Sequence, residues 1–77
     1  MGGIPRPRPG FLCNCDHLKV VNGKQLWANH NRTHFFTWDS LHGEIEAFDK
    51  KGRHIGSLNA FNGELIKEAI KGRKINV

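Results

Sequence analysis

The sequence predicts a mainly β protein: a small, highly twisted antiparallel sheet of about four to five strands with an extended N-terminal arm. Three observations favour this fold. Polar and apolar residues alternate over short stretches, turn-forming residues separate those stretches, and all three prolines fall within the first ten residues. Of the 77 residues, 38% are hydrophobic, below the ~45–50% of an average globular protein. One small domain with a thin core is therefore expected.

The N-terminal arm, assigned to residues 1–16, begins with the sequence MGGIPRPRPG. Every second residue from 5 to 9 is a proline, which fixes the backbone φ angle and removes a hydrogen-bond donor. Such a segment favours an extended, polyproline-like chain. Arg6 and Arg8 could contact a phosphate, but a flexible linker is the preferred interpretation.

A hairpin is predicted immediately after the arm. Residues 18–21 and 24–27 are strand-like, and Asn22-Gly23 between them supplies the two positive φ angles of a type I′ turn. A polar loop follows, and the aromatic-rich segment HFFTWD over 34–39 predicts the next strand.

The segment GEIEAFD over 43–49 alternates charged and apolar residues, as expected of a strand with two different faces. One face carries Ile45 and Ala47. The other is predicted to carry His42, Glu44, Glu46 and Phe48.

The remaining chain completes the predicted sheet. Residues 50–53 form a turn with Gly52 at a left-handed position, and residues 54–58 return as the partner strand. Residues 64–70 fit either a short amphipathic helix or a strand, and a strand is preferred because the preceding elements meander.

The charge of the chain indicates the kind of partner it binds. Twelve lysines and arginines oppose 7 acidic residues, giving a formal net charge of +5. This excess predicts a polyanion, either a nucleic acid or an acidic protein, and a surface that only aids solubility is the alternative. No stretch approaches the ~18 apolar residues of a membrane span, so no membrane anchor is expected in this fragment.

Cys13 and Cys15 are separated by one residue, a spacing that strains a disulfide. Together with His17 they would give three zinc ligands, one fewer than a structural site requires and at a shorter spacing than usual. Two free thiols and no bound metal are therefore expected. The histidines at 17, 30, 34 and 54 are interpreted as surface or hydrogen-bonded residues.

His42 differs from the other histidines because three acidic residues, Asp39, Glu44 and Glu46, lie close to it in the sequence. One interpretation is a solvated strand face whose acids pair with the basic turn at 50–53. The other is metal-free RNA cleavage, in which a carboxylate takes the 2′-hydroxyl proton and a histidine protonates the leaving 5′-oxygen. A nearby cation would stabilise the phosphorane. The spacing leaves both Glu44 and Glu46 open as the base.

The nine residues WDSLHGEIE over 38–46, followed by a hairpin and the pair Gly56-Ser57, resemble the cytotoxic ribonuclease domain of the colicin and cloacin group, which cleaves 16S ribosomal RNA. The resemblance extends from Trp27 to Arg73, roughly the C-terminal two thirds of the chain. The chain also resembles the C-terminal toxins of contact-dependent growth inhibition proteins. Residues 17–77 would then form the ribonuclease toxin domain.

The resemblance implies a role for each catalytic residue: Glu46 as general base, His42 as acid, Asp39 as the group that orients or charges His42, and Arg73 as the phosphate-stabilising cation. Two aromatic positions that are tyrosines in the family carry phenylalanine here, which leaves base stacking but no hydroxyl. The residues expected to bind RNA are Phe36, Trp38, Phe48, Lys50, Lys51, Arg53, Lys71 and Lys74.

The resemblance also implies the partners. The substrate would be 16S rRNA in the small ribosomal subunit, cut near the decoding site, and a cognate acidic immunity protein would protect the producing cell. No cofactor is implied. The domain would be exported as part of a larger cell-surface or secreted toxin and act in the target-cell cytoplasm. The main alternative is a non-catalytic RNA- or ribosome-binding module, and a metal-dependent DNase is a second.

Overall fold

The computed structural model describes residues 3–21 and 23–75 and contains one antiparallel sheet whose six strands follow each other in chain order. The strands are β1 (Asp16–Val21), β2 (Lys24–Ala28), β3 (His34–Asp39), β4 (Glu44–Asp49), β5 (His54–Leu58) and β6 (Leu65–Glu68). This confirms the mainly β, antiparallel fold. The sixth strand lies in the segment for which a helix was the alternative. No helix in the described ranges has the length and apolar character needed to span a membrane.

The turns agree with the glycine positions. Val21 pairs with Lys24, so two residues connect β1 and β2, and Gly23 has a φ of +79°. The part of the predicted type I′ turn that concerns Asn22 lies outside the described residues. Between β4 and β5, Gly52 has a φ of +84°, which confirms its left-handed position.

The register of the strands gives the sheet two chemically different faces. One cross-strand row contains apolar residues and a glycine: Trp27, Phe36, Ala47 and Gly56. The next row contains Leu26, Thr37, Glu46 and Ser57. Because neighbouring residues of a strand point to opposite faces, the first row faces the core and the second carries polar groups on the other side. We call these the core face and the polar face.

The N-terminal segment lies against the sheet. A turn of 3₁₀ helix at Phe11–Asn14 places Leu12 in the core cluster, where the residue is 2% exposed. Further upstream, the Ile4 N–H donates to the Ser40 carbonyl at 2.7 Å, and the Trp38 Nε1–H donates to the Ile4 carbonyl at 2.8 Å. Residues 3–10 form no regular secondary structure, residues 11–14 form the 3₁₀ turn, and the contacts at Ile4, Phe11 and Leu12 join this segment to the sheet. The domain boundary after residue 16 stays a prediction.

The C-terminal segment returns to the beginning of β5. The His54 N–H donates to the Arg73 carbonyl at 2.9 Å, and the Ile75 N–H donates to the Gly52 carbonyl at 2.8 Å. Lys74 also forms an isolated bridge with Arg53. These contacts bring the basic tail to the polar face.

Candidate active site

A pocket of about 440 Å³ lies on the polar face, between the middle of the sheet, the β3–β4 loop and the returning C-terminal segment. It brings together the four residues predicted to be catalytic: Asp39, His42, Glu46 and Arg73. They come from three separate parts of the chain, so only the fold places them in one pocket.

The β3–β4 loop, residues 40–43, is organised by Asp39. One carboxylate oxygen of Asp39 accepts the backbone N–H groups of Leu41 and His42, at 3.0 and 3.3 Å. The other carboxylate oxygen lies 2.8 Å from His42 Nδ1. Since an ionised carboxylate only accepts hydrogen bonds, Nδ1 carries the proton of this bond. The Nε2 atom of His42 is therefore the ring nitrogen available for chemistry.

The environment of Asp39 favours its ionised form. Burial alone would raise the pKa of Asp39, but the hydrogen bonds from the His42 ring and backbone, the charge of His42 and the Leu41 N–H lower it. The net effect is a pKa below the ordinary value, so Asp39 is an anion at neutral pH. The Asp39 anion therefore fixes the orientation of the His42 ring through Nδ1.

Glu46 is a buried acid, with only 7% of the residue exposed. The Ser57 hydroxyl donates to Oε2 at 2.6 Å, and the Arg73 guanidinium donates to Oε1. A buried carboxylate is tolerated only when such donors replace its water. Register accounts for one of them, because Glu46 on β4 pairs directly with Ser57 on β5.

His54 is a further neighbour of Glu46, and its place beside the acid was not predicted. Its side chain is completely buried, and Nδ1 accepts the Ile70 backbone N–H at 2.9 Å. Because a backbone N–H can only donate, Nδ1 is unprotonated and the ring proton resides on Nε2. Nε2 lies 3.5 Å from Glu46 Oε2 and has no hydrogen-bond partner among the described residues. The ring therefore presents an unused donor to the carboxylate.

Glu44, the other candidate base, is not part of the pocket lining. Its carboxylate pairs with the Lys67 ammonium at 3.0 Å. In the basic turn after β4, Arg53 pairs with Asp49 at 3.0 Å. Of the three acids near His42 in the sequence, Asp39 and Glu46 line the pocket.

The basic residues predicted to bind RNA occupy different places. Lys74 lines the pocket, and Lys71 lies beside it in a small groove shared with Arg73 and His54. The turn residues Lys50 and Lys51 line a separate groove at the far end of β4, and Arg53 lines both that groove and the small groove of the tail. Of these basic residues, Lys74 is the one that lines the pocket itself.

The predicted aromatic contacts also divide. Phe48 lines the pocket but is only 2% exposed, so its ring forms part of the pocket wall and offers little surface to a base, whereas half-buried Trp38 lines a second groove. Phe36 is 5% exposed and packs edge-on against Phe11, with the ring centroids 5.3 Å apart. β3 directs Phe36 to the core face, so its ring offers no surface on which a base could stack.

The two cysteines are free thiols. The Arg6 guanidinium donates to Cys13 Sγ at 3.7 Å, and the Cys15 thiol donates to the Phe11 carbonyl at 3.8 Å. Burial, followed by the nearby Asp16 charge, raises the pKa of Cys15. The residues that the structure describes include no group of three His, Cys, Asp or Glu side chains arranged to hold a metal.

Comparison with known proteins identifies the family of the chain. No curated protein matches the chain. A family model described as Cytotoxic matches residues 6–76, which includes all of the strands, the four predicted catalytic residues and most of the N-terminal arm. The match confirms the resemblance noted in the sequence and extends it upstream of Trp27. The chain belongs to the Cytotoxic family and is, by that membership, a toxin domain.

Proposed function

We propose that this toxin domain is an endoribonuclease that cleaves 16S rRNA near the ribosomal decoding site by metal-independent transesterification, which would stop translation in a target bacterium. One observation carries the proposal: a buried carboxylate, a carboxylate-bound imidazole and an arginine line the same pocket. These are the groups that transfer protons to and from a phosphodiester and stabilise its transition state.

In the proposed reaction the Glu46 carboxylate takes the proton of the ribose 2′-hydroxyl. The 2′-oxygen then attacks the adjacent phosphorus, and the bond between phosphorus and the 5′-oxygen breaks. The His42 imidazolium donates its Nε2 proton to the departing 5′-oxygen. The products are a 2′,3′-cyclic phosphate and a 5′-hydroxyl, and exchange with solvent restores both protonation states.

Asp39 and Arg73 support these two proton transfers. Asp39 orients the His42 ring through the 2.8 Å contact at Nδ1, which leaves Nε2 free to donate a proton. Arg73 pairs with Glu46 in the free protein, and its side chain is 45% exposed. A bound phosphate could therefore share this guanidinium, which would stabilise the additional negative charge of the phosphorane.

The proposed partners follow from charge and family. The net charge of +5 suits the polyanionic small ribosomal subunit as substrate and an acidic immunity protein as inhibitor. We propose that the domain is exported within a larger cell-surface or secreted toxin and acts in the cytoplasm of the target cell. No metal or organic cofactor takes part in the proposed reaction.

The test compares cleavage with binding. Purified protein is added to ribosomes in excess EDTA, and rRNA fragments and ribosome co-sedimentation are measured for His42→Ala and Glu46→Ala. We expect both variants to bind ribosomes without cleaving the rRNA. His34→Ala is the matched control, because His34 is exposed and its ring contacts the Thr33 hydroxyl at 3.0 Å, away from the pocket.

Three results would contradict the proposal. Continued cleavage by the two variants at the same site would remove the catalytic assignment. Binding of wild-type protein to ribosomes without cleavage would favour the non-catalytic RNA- or ribosome-binding module. Loss of activity in EDTA, with DNA cleaved when metal is restored, would favour the metal-dependent DNase.

A further inference from the structure

A second groove, of about 340 Å³, lies on the core-face side of β2 and β3, where the N-terminal arm crosses the sheet, and it meets the catalytic pocket of the polar face at Lys24. Its main side chains are Arg6, Arg8, Lys24, Trp27 and Trp38. We call it the tryptophan groove. We propose that it binds a single-stranded segment of RNA next to the scissile bond, an inference that rests on the proposed function in taking this RNA to be the cleaved strand.

The arm that carries the two arginines is fixed at both ends. At one end, Ile4 exchanges hydrogen bonds with the Ser40 carbonyl and the Trp38 indole. At the other, the Phe11 N–H donates to the Ala60 carbonyl at 2.9 Å. The prolines between these points remove backbone donors and restrict φ. The backbone that carries the arginines is therefore held against β2 and β3 and loses little conformational freedom when a ligand binds.

The charges of these two arginines are not neutralised within the described part of the protein. Arg32, Arg53 and Arg73 each pair with a carboxylate. In contrast, neither Arg6 nor Arg8 forms an ion pair among the described residues. Two unpaired guanidinium groups side by side are suited to an anionic ligand with repeated charges.

Arg6 is also oriented by an aromatic ring. Its guanidinium carbon lies 5.0 Å from the centre of the Trp27 ring, a cation–π contact, and its Nη1 donates to Cys13 Sγ. A guanidinium has five N–H donors, and stacking on a ring leaves donors in its plane free for a phosphate. Arg6 is thus pre-positioned as a phosphate ligand.

Lys24 connects the tryptophan groove with the catalytic pocket, because it lines both. A strand whose scissile phosphate lies near His42 and Arg73 could therefore continue past Lys24 into this groove. There the half-buried Trp38 offers an aromatic ring for stacking with a base. Cations that alternate with aromatic rings suit a nucleic acid strand better than an acidic peptide, since a peptide carboxylate has no base to stack.

The groove can be tested without cleavage, because both tryptophans of the chain line it. Tryptophan emission is followed while the protein is titrated with a 2′-O-methyl RNA pentanucleotide, which lacks the attacking hydroxyl. We expect saturable quenching for the wild type. The double variant Arg6→Gln/Arg8→Gln should bind more weakly, with the slope of log K against log salt reduced by about 1.4, from ~0.7 for each lost phosphate contact.

Arg32→Gln is the matched control, because it removes one arginine charge at the opposite end of β3, where Arg32 pairs with Asp16 at 2.7 Å. It should bind the pentanucleotide like the wild type. Unchanged affinity and salt slope in the double variant would overturn the inference. So would binding, detected by anisotropy of a labelled pentanucleotide, that leaves tryptophan emission unchanged.

An oligo-glutamate peptide of the same net charge separates the two classes of polyanion. Equal binding of this peptide, with the same loss in the double variant, would identify a general polyanion surface and overturn the RNA assignment. The outcome is independent of the proposed reaction. If wild-type protein fails to cleave ribosomes, the proposed function fails, while the titration still decides whether the groove binds RNA.

Discussion

Glu46→Gln replaces a carboxylate oxygen with an amide nitrogen at nearly constant volume, and we expect it to abolish cleavage while the protein stays folded. A positioned general base contributes about 10²- to 10⁴-fold to a rate. At 1.36 kcal/mol for each factor of ten, the loss corresponds to about 3–5 kcal/mol of activation free energy. The fold should tolerate the change, because the Ser57 hydroxyl can still donate to the remaining oxygen and Arg73 is partly solvated.

Glu44→Gln is the matched control on the same strand and the same face. Its carboxylate, 16% exposed, pairs with the half-exposed Lys67 ammonium at 3.0 Å, and removing its charge should cost about 1 kcal/mol of folding free energy. Because Glu44 does not line the pocket, cleavage should continue near the wild-type rate. The assay is single-turnover rRNA cleavage, with thermal unfolding measured in parallel. Loss of activity in Glu44→Gln, with activity retained in Glu46→Gln, would assign the base to Glu44 and refute the reasoning.

Three further predictions concern the surroundings of the pocket. Burial raises the pKa of Asp39 and hydrogen bonds from His42 lower it, and the net effect is a pKa below 3.8. The ionised carboxylate therefore stabilises the fold above that pH, and this stabilisation is lost as the pH falls through the pKa of the folded state. Asp39→Asn should therefore reduce the free energy of unfolding in urea by about 0.5–1 kcal/mol at neutral pH and by less at a pH low enough to protonate the carboxyl in the folded state; an equal loss at both would contradict this. His54→Asn keeps an acceptor for the Ile70 N–H but loses the donor facing Glu46 and the ring packed against Phe48, so it should slow cleavage and lower Tm less than the loss of the acceptor does. His54→Phe loses both and should cost about 1–3 kcal/mol of stability, and equal Tm values for the two variants would argue against the assigned tautomer. Phe36→Leu should lower the free energy of unfolding by about 1 kcal/mol and leave the Kd for RNA unchanged, because the ring is in the core. Weaker RNA binding by the fully folded variant would show that Phe36 contacts RNA after all.

The elements that sequence could predict are those set by local chemistry. The glycines at 23 and 52 marked two hairpin turns because positive φ angles favour glycine. The alternation over β4 correctly separated Ile45 and Ala47 from the acids, since side chains alternate between the faces of any strand. Asp39 and His42 are three residues apart, so their contact also depends on a local turn.

Contacts that depend on register or on returning segments were beyond prediction. Nothing local to Ser57 or His54 indicates that either would face Glu46, because that requires the pairing of β4 with β5. The packing of Leu12 into the core depends on the arm folding back over the core face. Phe36 was expected to contact RNA, but an aromatic residue in a strand is equally suited to base stacking and to burial. The sequence alone therefore did not show that this ring lies in the core.

We propose that this pocket cuts one phosphodiester bond in ribosomal RNA. The most direct test is primer extension on 16S rRNA from ribosomes treated with the purified wild-type protein in excess EDTA. We expect one strong stop near the decoding site, absent with Glu46→Gln, and a 2′,3′-cyclic phosphate on the upstream fragment. Intact 16S rRNA, stops scattered along the molecule, or a stop that persists with Glu46→Gln would contradict it.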